Sequence, residues 1–257
     1  MSDPIFSIIA PAIRPENYKR FYHYISQNTK VPFEIIFVGH KPPTEFVREN
    51  FNYIYSRVKP SQCIELAARE AKGEYLIPSC DDCYFSENFL DKLWEQIQKI
   101  DTNQYFMAIY DAPAFQEGEP TMRPLLNKKA SWHNRETGIC GCYPKKIWKE
   151  IGGIDRRFIH TLFDVDLAFR CYEKGLGLHR IQDIHIREVY PKNITKYYNS
   201  SRLFRRYDGY NEELMLSLWM KPDGQLSDTR LLPFEPFEDT NIKTITQGEQ
   251  GEWWGAS

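Results

Sequence analysis

The sequence predicts an α/β fold in which a mostly parallel central sheet is flanked by helices. Short apolar runs alternate with amphipathic helical segments along the first 110 residues, and Pro or Gly ends many of these runs. Parallel neighbouring strands need crossover connections, which helices usually provide. A chain of 257 residues with 42% hydrophobic residues is also long enough to bury a large core.

The first half supplies most of the predicted sheet. Residues 16–27, for example, place Tyr18, Phe21, Tyr22 and Ile25 on one helical face, and Ser61 is the expected N-cap of a later helix that Gly73 ends. Strands are expected at 5–10, 33–38, 53–56, 74–77 and 105–110, and helices at 16–27, 44–50, 61–72 and 87–98.

The second half is less regular. Residues 111–137 form a long Pro-containing segment, and loops of that length are usually functional or mobile. A segment at 138–143 follows, a last strand is expected at 178–184, and helices are expected at 145–151, 164–174, 194–207 and 211–220. We interpret residues 1–190 as one domain and residues 191–257 as an extension packed on it.

Composition excludes several classes of protein. Lys and Arg number 33 against 35 Asp and Glu, giving a net charge of -2, so no basic field attracts nucleic acid. The longest uncharged stretch, 4–13, is far shorter than the ~20 residues of a membrane span and lacks the basic residues of a signal peptide. Six cysteines are too few for a disulfide scaffold, so we expect a cytoplasmic protein without an integral membrane segment. The oligomeric state stays open.

An acidic pair follows the strand expected at 74–77. Asp81 and Asp82 repel each other, and such pairs suit a hard cation such as Mg²⁺ or Mn²⁺ holding a diphosphate. A solvated turn that caps the next helix explains the pair equally well. Cys80 and Cys83 flank the pair, and with Cys140 and Cys142 they offer a less favoured zinc site; buried, inert thiols are the default interpretation.

A second acidic pair begins the helix expected at 164–174. Carboxylates in a first turn interact favourably with the helix dipole, which explains Asp164 and Asp166 structurally, with Thr161 as a cap. The functional alternative makes Asp164 a general base, braced by Asp166 or Arg170. Spacing alone does not separate these two interpretations.

Three further candidates follow expected strands. His185 comes after the strand at 178–184 and could supply a metal ligand. Arg14 and His40, with Lys41, follow the first two strands and could hold phosphate, although each is also an ordinary surface residue. Ligands of open parallel sheets bind beyond the carboxyl ends of the strands, where these residues lie.

Taken in order, these segments resemble family 2 glycosyltransferases of the GT-A fold, which are inverting enzymes with nucleotide-sugar donors. The likeness covers about residues 5–190 and rests on several weak motifs in the right order. The matching segments are Phe6-Ser7-Ile8-Ile9-Ala10-Pro11 with Arg14-Pro15, Ala67-Ala68-Arg69, Ala71-Lys72-Gly73-Glu74-Tyr75, Asp81-Asp82, Gly138 to Gly152-Gly153-Ile154-Asp155, and Asp164-Val165-Asp166-Leu167 with Arg170 and Gly175.

The resemblance implies a role for each matching residue. Asp164 would deprotonate an acceptor hydroxyl of a glycan or lipid-linked molecule, and Asp82 with His185 would bind Mn²⁺ or Mg²⁺. The nucleotide-sugar donor would lie against Pro11, Arg14, His40, Asp81 and Asp166. The metal would stabilise the diphosphate leaving group while the base activates the hydroxyl on the opposite face, which gives inversion.

The chain departs from the family pattern at three places. His40 and Lys41 follow Gly39 where the family has an acidic residue that reads the base, so the donor nucleotide stays open. Phe163 replaces a Glu before the expected base, and Ala12-Ile13 replaces a Thr-Tyr pair. A catalytically inactive module that binds glycans or partners is therefore the alternative, whereas a nucleotidyltransferase is disfavoured because no Gly-rich loop follows the first strand.

Overall fold

The computed structural model describes residues 3–46, 48–108, 115–116, 131–137, 141–190 and 207–237. Its strands are β1 (Phe6–Pro11), β2 (Phe33–Gly39), β3 (Phe51–Tyr55), β4 (Tyr75–Pro78), β5 (Cys83–Phe85), β6 (Tyr105–Ala108), β7 (Phe115–Gln116), β8 (Ser131–Trp132), β9 (Arg135–Glu136), β10 (Gly141–Pro144), β11 (Gly177–Arg180) and β12 (Ile186–Tyr190). Its helices are α1 (Pro15–Ser26), α2 (Pro60–Glu70), α3 (Phe89–Ile97), α4 (Lys145–Glu150), α5 (Phe163–Glu173) and α6 (Asp208–Trp219).

Seven strands form the central sheet, in the order β11-β6-β10-β4-β1-β2-β3. Four of the neighbouring pairs are parallel, and only β10 runs antiparallel to its neighbours β4 and β6. The strand order reverses between β1 and β4, and such a switch point opens a crevice at the carboxyl ends of the strands. The α/β class with a mostly parallel sheet is therefore confirmed.

Helices cover both faces of this sheet because its strands are apolar on both sides. On β1, Phe6 and Ile8 face the layer that contains α1 and α3, whereas Ile9 faces the layer that contains α2, α4 and α5. Buried apolar strands of this kind are typical of parallel sheets enclosed between helices.

The described part of the C-terminal segment packs on α5. Met215, Leu218 and Trp219 of α6 are buried in one cluster with Val165 and Phe169 of α5. In the parts of the chain that the structure describes, no helix is both long and apolar enough to cross a membrane.

Several local expectations were wrong. Residues 44–46 and 48–50 contain no helix; a turn closes instead through the amide of Phe51 and the carbonyl oxygen of Arg48. Helix α2 begins at Pro60, so Ser61 lies inside the helix and is not its N-cap; the Ser61 hydroxyl donates instead to the Phe158 carbonyl oxygen.

The remaining differences concern the later strands and one helix. The expected strand at 178–184 ends at Arg180, and β12, which was not expected, joins β5 and β7 in a small second sheet. The helix expected at 194–207 lies almost entirely outside the described residues, as do residues 109–110 of the strand expected at 105–110.

Candidate active site at the carboxyl edge of the sheet

The loops that follow β1 and β4 meet at the switch point of the central sheet. The backbone of Ser79 donates to the carbonyl oxygen of Ile9 (2.9 Å), and that of Ala12 donates to Val38 (2.9 Å), so the three strand ends stay paired up to their last residues. This arrangement brings Arg14 from the first loop to Asp81 and Asp82 from the loop after β4.

Arg14 spans both carboxylates. Its Nε donates to Oδ1 of Asp81 at 2.7 Å, and its Nη1 donates to Oδ2 of Asp82 at 2.6 Å. Nη2 also pairs with Oδ1 of Asp81. The planar guanidinium presents its donors in a fixed fork, which is why one arginine can bridge two neighbouring acids.

Asp81 is the anchor of this arrangement. Its Oδ2 accepts the backbone amides of Ile13 (2.7 Å) and Arg14 (2.9 Å), so both of its oxygens are hydrogen-bonded within the protein. Because Asp81 is only 1% exposed, it positions the first loop rather than presenting an open ligand.

The charges of this group favour a cation. Burial lowers the pKa of Arg14, but the negative charges of Asp81 and Asp82 outweigh that effect, so its pKa is raised and it stays protonated. One positive and two negative charges leave the group net negative.

Two tyrosine hydroxyls hold the loop after β2: Tyr53 links it to the first loop, and Tyr18 links it to α1. Tyr53 donates its hydroxyl to the carbonyl oxygen of Ala12 (3.3 Å) and accepts the amide of Lys41 (3.0 Å). Tyr18 donates to the carbonyl oxygen of Lys41 at 2.9 Å. Sequence reasoning missed this role, since Tyr18 fits the apolar stripe of α1 and nothing in the pattern reveals where its hydroxyl points.

His40 lies in the same loop. Burial lowers its pKa to about 4, and the neighbouring charges of Lys41 and Arg57 act in the same direction. The imidazole is therefore neutral near pH 7. Pro11 ends β1 opposite Val38 of β2 and is partly exposed, at the rim of the crevice.

Asp164 occupies the first turn of α5. The chain enters this helix through Leu162, whose positive φ of 66° sets the direction of the turn. Just upstream, Ile159 packs against Ile13, the residue before Arg14, so the segment leading to Asp164 borders the first loop. Part of Asp164 reaches solvent, but protein surrounds its carboxyl group, and this desolvation raises its pKa against the opposing effect of backbone hydrogen bonds.

Asp166 does not face the crevice, contrary to the expectation that it binds the donor. Successive helical residues are about 100° apart, so Asp164 and Asp166 point to different sides of α5. Asp166 is fully buried, and its carboxylate accepts Nε of Arg170 (2.8 Å) and the indole N–H of Trp219 (3.0 Å). The helix therefore uses Asp166 to bind the C-terminal segment.

Asp155 extends this buried network. It accepts hydrogen bonds from Arg157 (Nη2 at 2.8 Å) and from Arg230 (Nη2 at 2.6 Å), and Arg230 also lies 3.4 Å from Oδ1 of Asp166. No local sequence pattern predicts this network, because Arg230 is 64 residues beyond Asp166 in an irregular segment.

His185 also lies away from the acidic pair. It hydrogen-bonds Ser86 through both backbone groups, and β12 then runs antiparallel to β5 so that Glu188 pairs with Cys83. Four residues separate Asp82 from Ser86, which is roughly 13 Å along an extended strand. The backbone of His185 therefore lies beside Ser86, at the end of β5 far from Asp82.

The acidic pair has the right chemistry for Mg²⁺ or Mn²⁺, although the protein supplies few ligands. Carboxylate oxygens are the ligands that hard cations prefer, and Mg²⁺ often binds through one or two carboxylates, with substrate phosphates and water completing the shell. Within the described ranges, no three His, Cys, Asp or Glu side chains form a metal-binding group. The residues therefore fit a metal that arrives with a diphosphate, held mainly by Asp82.

The alternative zinc site receives no support from the described residues. Cys83 and Cys142 are buried among apolar side chains, and burial raises the pKa of the Cys142 thiol well above its ordinary value. A raised pKa disfavours the thiolate that zinc requires. Cys140 lies outside the described residues.

Comparison with solved structures defines the class of fold. The chain has a GT-A glycosyltransferase fold, which confirms the fold that the resemblance implies. The matching structures include S. aureus TarS 1-349, with a TM-score of 0.54 and 14% identity over 72% of this chain and 60% of that one. The same protein in complex with UDP-GlcNAc matches with a TM-score of 0.52 and 14% identity over 72% and 58%.

A second protein with this fold is GalNAc-T7 in complex with UDP, GalNAc and Mn²⁺, with a TM-score of 0.55 and 15% identity over 75% of this chain and 45% of that one. The chain thus spans 60% or less of each of these structures. No protein-family model and no curated protein matches the sequence.

Proposed function

We propose that this protein is a metal-dependent, inverting glycosyltransferase that moves a sugar from a nucleoside diphosphate donor to a hydroxyl of a glycan or lipid-linked acceptor. The observation that carries the proposal is the position of Arg14, Asp81 and Asp82. They meet at the switch point of a GT-A sheet, where open α/β sheets bind their ligands. Similar structures hold UDP-GlcNAc, or UDP and Mn²⁺, which supports a nucleotide-sugar donor by analogy of fold.

On the donor side, Asp82 would hold the divalent cation and Arg14 would contact the diphosphate. The cation, when bound, neutralises the charge that develops on the departing diphosphate. Asp81 keeps the first loop in place through the amides of Ile13 and Arg14, and Pro11 and His40 border the space for the nucleoside. Because His40 is neutral near pH 7, it would contact the nucleobase of the donor as an uncharged imidazole, in contrast to a negatively charged carboxylate.

On the acceptor side, Asp164 would take the proton from the attacking hydroxyl. A base is more effective when its pKa lies closer to the working pH, and desolvation moves the pKa of Asp164 in that direction. Attack by this hydroxyl on the anomeric carbon, opposite the departing diphosphate, transfers the sugar with inversion. The proton goes to the Asp164 carboxylate, and the bond to the diphosphate breaks.

We also propose a cytoplasmic location, supported by cysteines that remain thiols. Cys63, Cys142 and Cys171 are free thiols buried in the described parts of the chain, which suits a reducing compartment. A net charge of -2 does not favour nucleic acid as a partner.

The proposal is tested by incubating the protein with UDP-, GDP-, dTDP- and CDP-sugars in the presence of Mn²⁺ and measuring release of the nucleoside diphosphate. We expect release from one nucleotide class and, by nuclear magnetic resonance, an anomeric configuration in the product opposite to that of the donor. Retention of configuration would refute inversion. Absence of release from every donor, also with mixed glycan acceptors, would instead favour a catalytically inactive GT-A module.

A further inference from the structure

The Arg14 guanidinium covers the carboxylate on which the proposed donor site depends. The side chain of Arg14 is 27% exposed, whereas those of Asp81 and Asp82 are only 1% and 5% exposed. Solvent and ligands therefore meet the arginine before they meet Asp82. A divalent cation must compete for Asp82 with Nη1 of Arg14, which lies 2.6 Å from its Oδ2 atom.

The two contacts of Arg14 differ in how easily they can be released. Its Nε and Nη2 bind Asp81, which the amides of Ile13 and Arg14 fix in place, whereas its Nη1 binds Asp82. Rotation of the guanidinium can therefore free Asp82 while the contact between Nε and Asp81 persists. The freed Nη1 donor needs a new acceptor, because an unpaired charged donor in a largely buried position is costly.

A diphosphate supplies that acceptor. Phosphate oxygens match the donor fork of arginine, and charge-assisted hydrogen bonds of this type are the strong ones. The cation alone offers Arg14 nothing, since the two are positively charged and compete for the same carboxylate. The diphosphate alone meets a site whose net charge is negative.

We propose that Arg14 is an internal counter-ion of Asp82 that a divalent cation displaces efficiently only together with a nucleoside diphosphate. This inference rests on the proposed function and adds a regulation to it: metal and nucleotide bind cooperatively, and neither loads the site well alone. Linkage requires the effect to be reciprocal, so UDP must tighten Mn²⁺ binding by the same factor by which Mn²⁺ tightens UDP binding. Couplings between sites typically amount to about 5- to 150-fold.

The test is calorimetric titration of Mn²⁺ into the full chain, with and without UDP, for wild type and Arg14→Met. In wild type we expect UDP to tighten Mn²⁺ binding at least about fivefold. Arg14→Met should bind Mn²⁺ without UDP at least about fivefold more tightly than wild type does. It should lose only the part of the coupling that comes from Arg14, because the diphosphate still coordinates the cation directly.

Two controls locate the effect. Arg156→Met removes an equal charge from an exposed pair with Glu235, so Mn²⁺ binding should not change. Asp82→Asn combined with Arg14→Met should abolish the gain, which shows that the ion binds at Asp82. Arg14→Lys provides a second variant should the methionine disrupt folding. It should tighten Mn²⁺ binding by less than methionine does because it keeps a positive charge that competes for Asp82, although ammonium cannot span both acids.

Several results would overturn the inference. Equal Mn²⁺ affinity of wild type with and without UDP, while UDP itself binds, contradicts the coupling and leaves the proposed transferase function standing. A folded Arg14→Met variant without tighter Mn²⁺ binding contradicts the role of Arg14. If neither UDP, GDP, dTDP nor CDP binds wild type with Mn²⁺, the proposed function fails as well, and the Mn²⁺ affinities without nucleotide still report on Arg14.

Discussion

Arg230 reaches the buried carboxylate of Asp155, with 2.6 Å between Nη2 and Oδ2. The contact joins the C-terminal segment to the turn that precedes α5, and the same guanidinium lies 3.4 Å from Asp166 within that helix. Helix α5 carries Asp164 in its first turn, so this network anchors the helix that presents the proposed base.

Replacing Arg230 should destabilise the protein. Arg230→Met leaves Asp155 with Arg157 as its remaining strong partner and weakens the compensation of Asp166, so we expect a loss of about 2–3 kcal/mol in the free energy of unfolding. Arg156→Met, which breaks an exposed pair with Glu235, should cost less than about 1 kcal/mol. Urea titrations of both variants measure the difference, and equal costs would contradict a stabilising role of the buried network.

The same network should make the protein sensitive to acid. Burial raises the pKa of Asp155, but hydrogen bonds from Arg157 and Arg230 outweigh it and lower the pKa to about 2 from an ordinary 3.8. A depressed pKa in the folded state contributes stability above the ordinary value, and that stability is lost as the pH falls towards 2. We expect the free energy of unfolding of wild type to fall more steeply between pH 4 and 2 than that of Asp155→Asn, as measured in urea at a series of pH values. Parallel curves would show that Asp155 is not the group responsible.

Gly39 permits the close approach of the first two loops. A Cβ atom at this position would overlap the carbonyl oxygen of Ala12, which is backbone and cannot swing away. We expect Gly39→Ala to cost about 1–3 kcal/mol and to weaken nucleotide binding, because the loops that border the site must separate. Gly209→Ala, where nothing lies near the added atom, is the matched control, and thermal unfolding with and without UDP checks both. An unchanged UDP effect in Gly39→Ala would show that the loop contact does not shape the site.

Asp164 should act on the chemical step rather than on donor binding. Asp164→Asn keeps the shape of the side chain but removes its basicity, so we expect kcat to fall about 10²- to 10⁴-fold. The increase in melting temperature caused by nucleotide and Mn²⁺ should stay as in wild type. A variant that retains full kcat would exclude Asp164 as the base, whereas loss of nucleotide binding would place it on the donor side.

The sheet could be predicted from the sequence because its signal is local. The runs at β1 and β2 are apolar on both faces, and the stripe of α1 follows one helical face, so burial and periodicity point to the same elements. The meeting of Arg14 with the acidic pair also follows from the rule that parallel strands end at one edge of a sheet.

The small second sheet could not be predicted in the same way. Strand β12 pairs with β5 across about 100 residues, and no local pattern encodes that register. His185 therefore lies directly before β12, and not at the end of a strand that runs from 178 to 184. The position of Asp166, by contrast, was available from helical geometry, since a residue two positions after Asp164 cannot share its face.

The most direct test of the account is the thermal unfolding of wild type and Asp82→Ala with UDP, GDP, dTDP or CDP, each with and without Mn²⁺. A ligand at 100 times its dissociation constant adds about 2.7 kcal/mol to the free energy of unfolding. We expect one nucleotide to stabilise wild type only when Mn²⁺ is present, with no effect on Asp82→Ala and a full effect on Asp228→Ala, which alters a carboxylate that is 87% exposed. Absence of stabilisation by all four nucleotides in wild type, or equal stabilisation of Asp82→Ala, would contradict a donor site built on Arg14, Asp81 and Asp82.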